Sequence, residues 1–317
     1  MNWVTLTNEP WMPIGADKAK EDFAKIAENL GFGILKIDRA KKTVDLSTLK
    51  TGDLIIHQYP SYLGDQWELD FQKELKEIGG RTAILIHDFE AFRIHGYKSE
   101  KIALQVLSSA DYLVTHNKEM TNRLSRINQN IFQIGLFDYL SSKNPETTKI
   151  PTSLIYAGSL SKSFWIKNYS LEIPMDIFGR LPKKWSLQKN NYLTLHEPIA
   201  PDQLPIFLCD KWGLVWDEDR EKNRTNYQNY QKINSPHKLS LYLAANIPVI
   251  VWKKAAVAKF VLENKIGIAI NNLEEIPAEI KKAEIDFDNL SILSRKIRNG
   301  YFTKKLLVKI IIKQKSA

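Results

Sequence analysis

Short apolar runs alternate with amphipathic stretches along the whole chain. In the first half the runs are Trp3–Thr7, Gly33–Ile37, Asp53–His57, Ala83–His87, Tyr112–Thr115 and Ile131–Ile134, most of them rich in Val, Ile or Leu. Continuous apolar runs of this length suit strands buried on both faces of a parallel sheet. Between them, Asp17–Leu30 puts Phe23, Ile26, Ala27 and Leu30 on one helical face and stops at Gly31. Asp70–Ile78 ends the same way at Gly79-Gly80, and Lys118–Asn128 is a third helical pattern. Strand, helix and strand at this spacing predict right-handed crossovers and a doubly wound sheet.

The pattern pauses at Ser141–Pro151, a polar stretch with two prolines, and then restarts. Strands are predicted at Ser153–Ala157, Met175–Phe178, Tyr192–Leu195, Gly213–Trp216, Pro248–Trp252 and Gly267–Ile270. Helical patterns fall at Pro201–Lys211, Lys238–Ala245, Ala255–Asn264 and Leu273–Lys282. The expected fold class is therefore α/β, with two Rossmann-like domains at 1–145 and 146–295 and a basic helical tail at 296–317. Ligands in such folds sit at the carboxyl ends of strands, and a cleft between two domains is the natural site. In the tail, Leu306, Leu307, Ile310 and Ile311 recur at helical spacing among lysines. That pattern fits a helix packing back on the body, an oligomer contact or reversible contact with a membrane surface.

Composition narrows the class without naming it. The 317 residues carry a formal charge of +9, which favours anionic ligands or is simply a solvated basic surface. No nucleic-acid motif accompanies the charge, so nucleic acid is not expected as a partner. The lone Cys209 cannot form an intrachain disulfide and lies in an apolar context, as an inert core thiol would. The first residues lack the basic-then-apolar pattern of a signal peptide, and no stretch approaches the roughly 20 apolar residues of a membrane helix. The expected location is the cytoplasm.

Candidate chemistry concentrates in the second half. In Asn234-Ser-Pro-His-Lys238, Ser235 or Asn234 suits a helix N-cap and Pro236 the first turn. Lys238 then sits near a helix N-terminus, where the dipole disfavours a cation. A bound anion, held by backbone N–H groups and the ammonium together, relieves that conflict; the alternative is a solvated lysine. Gly158 and Ser159 follow the first strand of this half, where a glycine lets backbone approach a phosphate and a serine adds a donor. Arg180, ending the next strand, has the fork that suits phosphate oxygens, or is a surface arginine.

Lys238-Leu-Ser-Leu-Tyr-Leu-Ala-Ala245 followed by Ile247-Pro-Val-Ile250 resembles the donor-site element of GT-B glycosyltransferases. With Gly213-Leu-Val-Trp-Asp217 and Ser-Pro-His-Lys238, the segment is similar to a narrower group, the bacterial glucosyltransferase 3-like family. Those enzymes extend O-linked GlcNAc on serine-rich repeat adhesins, and galactofuranosyltransferases look closely related. The resemblance implies a GT-B fold with the C-terminal helix returning toward the first domain. It implies a UDP-sugar held by Gly158, Ser159, Arg180 and Lys238, with Asn234 and His237 shaping the loop. A hexose, glucose first, would pass to a GlcNAc-modified adhesin; GlcNAc and galactofuranose are the alternative sugars, and a non-catalytic nucleotide-sugar-binding protein is the alternative class. The family also implies homo-oligomers, dimer or tetramer.

In the first half, the Thr7–Asp17 loop lacks a Gly-x-Gly-x-x-Gly fingerprint. The resemblance places this loop, with Trp11 and Gly15, at the cleft, where Trp11 stacks on a sugar or belongs to the core. His87 and Asp88 close the fourth strand and are the candidate bases for the acceptor hydroxyl, with Glu90 as a further option. The same pair could instead cap the next helix. The histidines show no metal-ligand spacing and no Asp-x-Asp metal motif is present, so neither a catalytic metal nor a cofactor beyond the UDP-sugar is expected.

Overall fold

The computed structural model describes residues 1–8, 15, 17–183, 185–186, 190–219 and 225–315. It divides into two compact units: Met1–Asp138 with Gly300–Ala317, and Tyr139–Asn299. In the first unit the elements are β1 (Asn2–Asn8), α1 (Lys18–Glu28), β2 (Gly33–Asp38), β3 (Thr43–Val44), β4 (Leu54–Tyr59) and α2 (Asp65–Glu77). There follow β5 (Arg81–Ile86), α3 (Glu90–Arg93), α4 (Glu100–Ser109), β6 (Tyr112–Thr115), α5 (Lys118–Leu124) and β7 (Ile131–Gln133). The sheet order is β3-β2-β1-β4-β5-β6-β7, parallel except for the short antiparallel β3.

Burial on both faces of the sheet explains the apolar runs. Along β4, Leu54 and Ile56 enter one core layer with Phe23, Ala27 and Leu85, and Ile55 enters the other with Leu35, Phe71 and Leu75. The strand carries polar His57 and Gln58 at its carboxyl end, both buried. α2 begins at Asp65, five residues before its periodic pattern shows, and buries Asp65 and Glu68 as well as Phe71.

The second unit contains β8 (Leu154–Ala157), two 3₁₀ turns (Leu160–Lys162 and Phe164–Asn168), β9 (Met175–Phe178), β10 (Leu193–His196) and α6 (Leu204–Phe207). It continues with β11 (Trp212–Val215), α7 (Tyr227–Tyr230), α8 (His237–Ala244), β12 (Val249–Trp252), α9 (Ala258–Glu263) and β13 (Gly267–Ile270). A 3₁₀ turn (Leu273–Glu275), α10 (Ile276–Lys282) and α11 (Phe287–Arg298) close it. All six strands are parallel in the order β10-β9-β8-β11-β12-β13. α8 lies close on β11: a Cβ at Gly213 would stand 2.3 Å from the Tyr242 ring, so only glycine permits this approach.

The helical tail read at 296–317 is the end of α11 and a separate second helix, because Asn299-Gly300 interrupts it. The second, α12 (Tyr301–Lys315), packs on α1 in the first unit. Its Leu306, Leu307 and Ile310 are buried in the core layer that holds Phe23 and Val4. The Asp138 carboxylate accepts from Phe302 N at 3.2 Å and Thr303 N at 2.7 Å, capping the first turn. Among the described residues no helix is long and apolar enough to cross a membrane.

Two stability predictions follow from these contacts. Leu307 is fully buried, so Leu307→Ala should cost about 2–5 kcal/mol in denaturant unfolding, as large-to-small core changes do. A cost near zero would mean that α12 is not part of this core. Burial pushes the Asp138 carboxyl from 3.8 up to about 6, against the lowering pull of the hydrogen bonds from Thr303 and Phe302. The folded state thus holds this proton more tightly than the unfolded chain. Its contribution is complete below about pH 4 and is lost as pH rises through about 6. Buried His116, whose pKa falls from 6.5 to about 4 through desolvation, acts in the opposite sense, losing its contribution as pH falls through 4. Comparison with Asp138→Asn isolates the Asp138 effect: the wild-type advantage should shrink by on the order of 3 kcal/mol between pH 4 and 7. A pH-independent difference would contradict the assignment.

Candidate functional site

The strand order of the second unit reverses between β8 and β11: the chain leaves β8 toward β9 and leaves β11 toward β12. A crevice at the carboxyl ends of such a pair is where open parallel sheets bind ligands. Tyr156 and Ala157 end β8, Asp217 lies just past β11, and Lys238 is in the first turn of α8. These groups meet. Lys238 Nζ donates to Asp217 Oδ1 at 2.5 Å and to the Tyr156 hydroxyl at 2.6 Å, and it lies 4.5 Å from the centre of the Tyr156 ring. The Tyr156 hydroxyl is also within hydrogen-bond reach of Ser163 Oγ.

The electrostatics of the cluster follow from that geometry. Burial alone would depress the lysine's pKa, but the Asp217 carboxylate outweighs it and holds the ammonium above the ordinary lysine range. Burial raises the Tyr156 phenol, with Lys238 opposing, so the hydroxyl stays protonated. An ammonium has three N–H donors. Asp217 and Tyr156 take two; among the described residues the third has no partner. Gly158 adjoins the ammonium, and a Cβ there would stand 3.0 Å from Lys238 Cε. Its φ of +147° is a conformation that L side chains rarely adopt. The arrangement can hold an anion at a helix N-terminus beside a fixed cation.

The other expected residues of this half are distributed around the cluster. Ser159 is exposed and its hydroxyl pairs with Ser161 Oγ at 2.8 Å. Arg180 is exposed at the carboxyl end of β9. Pro236, not Ser235 or Asn234, is the N-cap residue of α8, and it has no side-chain oxygen to bond the first amides. Proline brings the extended backbone angle the position needs (ψ 139°) without a side-chain acceptor of its own. The Asn234 side-chain oxygen is buried without a partner among the described residues. His237, first in α8, stacks on Tyr139 at 5.1 Å. A cavity of about 310 Å³, lined in part by Trp165, Tyr169, Trp216, Glu218 and Asn271, adjoins the cluster through the edge contact of Trp165 with Tyr156. Cys209 is half-buried rather than in the core, and burial pushes its thiol pKa up, which favours the protonated form.

In the first unit the reversal falls between β1 and β4. Gly15 is exposed in the loop after β1, with φ +85°, and Trp11 lies outside the described residues. β5 ends at Ile86, so His87 and Asp88 stand just beyond the strand rather than in it. His87 Nε2 is 2.9 Å from Gln58 Oε1, and its ring stacks on Phe137 at 5.1 Å. Asp88 Oδ2 pairs with Arg93 Nη1 at 2.9 Å, and the same nitrogen bonds Glu90 Oε1 at 2.6 Å. The pair does not cap α3, whose N-cap is Phe89. Among the described residues no group of three or more His, Cys, Asp or Glu side chains could hold a metal ion.

Tyr156, Asp217 and Gln58 carry these arrangements and were not singled out from the sequence. A polar residue at the end of an otherwise apolar buried strand is the signal that could have found Gln58. An acidic residue closing the strand across the reversal from Gly158 is the one for Asp217.

Residues 1–131 match the glucosyltransferase 3-like N-terminal domain and residues 154–310 its C-terminal domain. The chain is 30% identical over 290 residues to the beta-1,6-galactofuranosyltransferase WbbI of Escherichia coli (strain K12), covering 87% of this chain and 85% of that protein. It is 23% identical over 316 residues to Glucosyltransferase 3 of Streptococcus gordonii, covering 93% of each. Among solved structures, Anabaena HepE in complex with UDP superposes with a TM-score of 0.62 at 11% identity, covering 100% of both chains. With both of its units matched to the two domains of one group, the chain belongs to the glucosyltransferase 3-like family and is a glycosyltransferase of GT-B fold.

Proposed function

We propose that the protein transfers a hexose, glucose in the first reading, from a UDP-sugar to a GlcNAc-modified Ser/Thr-rich adhesin glycoprotein. The observation that carries the donor half is the Lys238 ammonium, fixed by Asp217 and Tyr156 beside Gly158 at the strand reversal. The donor diphosphate would take the remaining N–H of Lys238 and the amides at the start of α8, with Gly158 and Ser159 lining its path and Arg180 reaching phosphate oxygens. Such groups stabilise a leaving diphosphate by placing positive potential where charge develops. HepE, of the same fold, was solved with UDP, which supports this nucleotide. In the first unit, His87 or Asp88 would take the acceptor hydroxyl's proton, with Gly15 and Trp11 in the acceptor loop. The Asp88 carboxylate is engaged by Arg93, which favours His87. The acceptor and a homo-oligomeric assembly rest on the family alone.

A second donor, UDP-galactofuranose, has an observation in its favour. The galactofuranosyltransferase relative is 30% identical, against 23% for Glucosyltransferase 3. One or two pocket residues suffice to change the sugar a transferase accepts.

Two measurements test the reading. Thermal unfolding with UDP, UDP-glucose, UDP-galactofuranose and UDP-GlcNAc should show a shift with UDP and a larger one with a single sugar nucleotide. A ligand at 100 times its Kd stabilises the native state by about 2.7 kcal/mol. No shift at millimolar concentration with any of them would remove the donor assignment. Lys238→Ala should weaken UDP binding by roughly ten-fold to a thousand-fold, since a charge-assisted hydrogen bond is lost and Asp217 then faces the phosphates alone. The double variant Lys238→Ala/Asp217→Asn should recover part of that loss. Unchanged affinity in the single variant would place the diphosphate elsewhere.

A further inference from the structure

The inner face of α12 holds the helix in place. Thr303, Leu306, Leu307 and Ile310 are buried in the first unit. Both ends are tied as well. Asp138 takes amides of the first turn, Gln314 Nε2 donates to Gly52 O at 3.4 Å, and Arg81 Nη1 donates to Gln314 O at 3.3 Å. The outer face is therefore presented by a fixed helix.

That outer face is not an ordinary solvated one. The side of a packed helix turned away from the core normally reads polar. Here Tyr301, Val308 and Ile312 are 40%, 49% and 60% exposed. At 3.6 residues per turn they lie within about 40° of one another, opposite the four buried residues, in a stripe about 16 Å long. Exposed lysines border it, Lys304 on one side and Lys305, Lys309 and Lys313 on the other. Lys305 Nζ lies 5.8 Å from the centre of the Tyr301 ring. No acidic residue occurs from Tyr301 to Lys315. The adjoining α1 exposes Glu21 and Glu28 along with Lys25, so the positive charge is centred on α12.

Charge decides what such a face fits. A second copy of the chain would set lysines against lysines across an isologous contact, where like charges repel. A nucleic acid would take the lysines through its phosphates and give Val308 and Ile312 no apolar surroundings. An anionic lipid leaflet uses both sets of groups. Its headgroup phosphates meet the ammonium groups, whose apolar stems lie along the surface, while the stripe enters the boundary of the acyl chains.

We infer that the outer face of α12 docks the protein on an anionic lipid surface, with Lys304, Lys305, Lys309 and Lys313 on the headgroups and Val308 and Ile312 inserted between them. The inference is independent of the donor and acceptor assignments. Binding of this kind is reversible, since each lysine near an anionic surface strengthens it only about five-fold and the stripe is short.

Vesicle flotation of the full chain tests this. Vesicles of phosphatidylcholine with about one third phosphatidylglycerol supply the anionic surface, and pure phosphatidylcholine the neutral one. Wild type should float with the first and not with the second, and added salt should release it. Lys304→Glu/Lys309→Glu should weaken binding roughly a hundred-fold, because two attractions become two repulsions. Val308→Ser/Ile312→Ser keeps every lysine and should weaken it roughly ten-fold. Lys281→Glu/Lys282→Glu makes the same change of net charge on α10 and should bind as wild type does. The two α12 variants are independent, so one that fails to fold leaves the other to decide. A wild type that stays off the anionic vesicles overturns the inference. If that wild type is a dimer which Val308→Ser/Ile312→Ser makes monomeric, the face belongs to a second copy. An α10 variant that loses as much as the lysine variant overturns it too, since net charge alone would then attract the protein. Vesicle binding untouched by Val308→Ser/Ile312→Ser, and competed away by duplex DNA, overturns it in favour of a general polyanion site.

Discussion

A parallel sheet wound outward in two directions has one place where neighbouring strands send their connections to opposite sides. The carboxyl ends there are left uncovered by either crossover, and a polar ligand can reach backbone and side chains without opening the core. Both units obey this constraint, at β1/β4 and at β8/β11. It explains why groups far apart in sequence converge: Tyr156, Asp217 and Lys238 span 82 residues and meet around one nitrogen. The remaining packing serves to hold those strand ends in place. Gly213 lets α8 lie against β11, and the Tyr242 hydroxyl on α8 accepts the Ala157 amide at 2.9 Å, tying the helix to the end of β8.

Within the second unit the lysine is the group that needs explaining. A cation in the first turn of a helix opposes the helix dipole, and burial adds to the cost. Asp217 offsets both. From the sequence, a bound anion or a solvated side chain are the two ways to relieve the conflict, because Asp217, 21 residues earlier, is invisible to helix periodicity. The ion pair and the anion are compatible. Asp217 balances one charge and fixes where the ammonium points, and the ammonium keeps a further N–H beyond those that Asp217 and Tyr156 take.

Much of the architecture was legible because burial on both faces writes long apolar runs: β6, β9 and β13 coincide with their runs residue for residue. What stayed hidden has physical causes. β3 is two residues of half-exposed edge, with no burial to impose a pattern. α2 starts early because its first turn buries Asp65 and Glu68 through hydrogen bonds to Tyr59 and Ser61, which reads as polar surface in a sequence. The tail pattern ran through Asn299-Gly300 because both flanking helices are amphipathic. Lys238 and Gly158 stand out in the sequence because a helix start and a strand end are local features. Gln58 does not, because its side-chain amide bonds the carbonyls of Thr5 and Lys20, which no local pattern connects to it.

The two strand reversals use the same topology for different chemistry. At β8/β11 the convergent groups are a cation, a carboxylate, a phenol and a glycine, a set suited to charge. At β1/β4 they are a threonine, a glutamine and, one strand over, a histidine, joined by hydrogen bonds in which the glutamine amide also donates to backbone carbonyls. The two reversals thus differ in the residues they bring together and not in the fold they share.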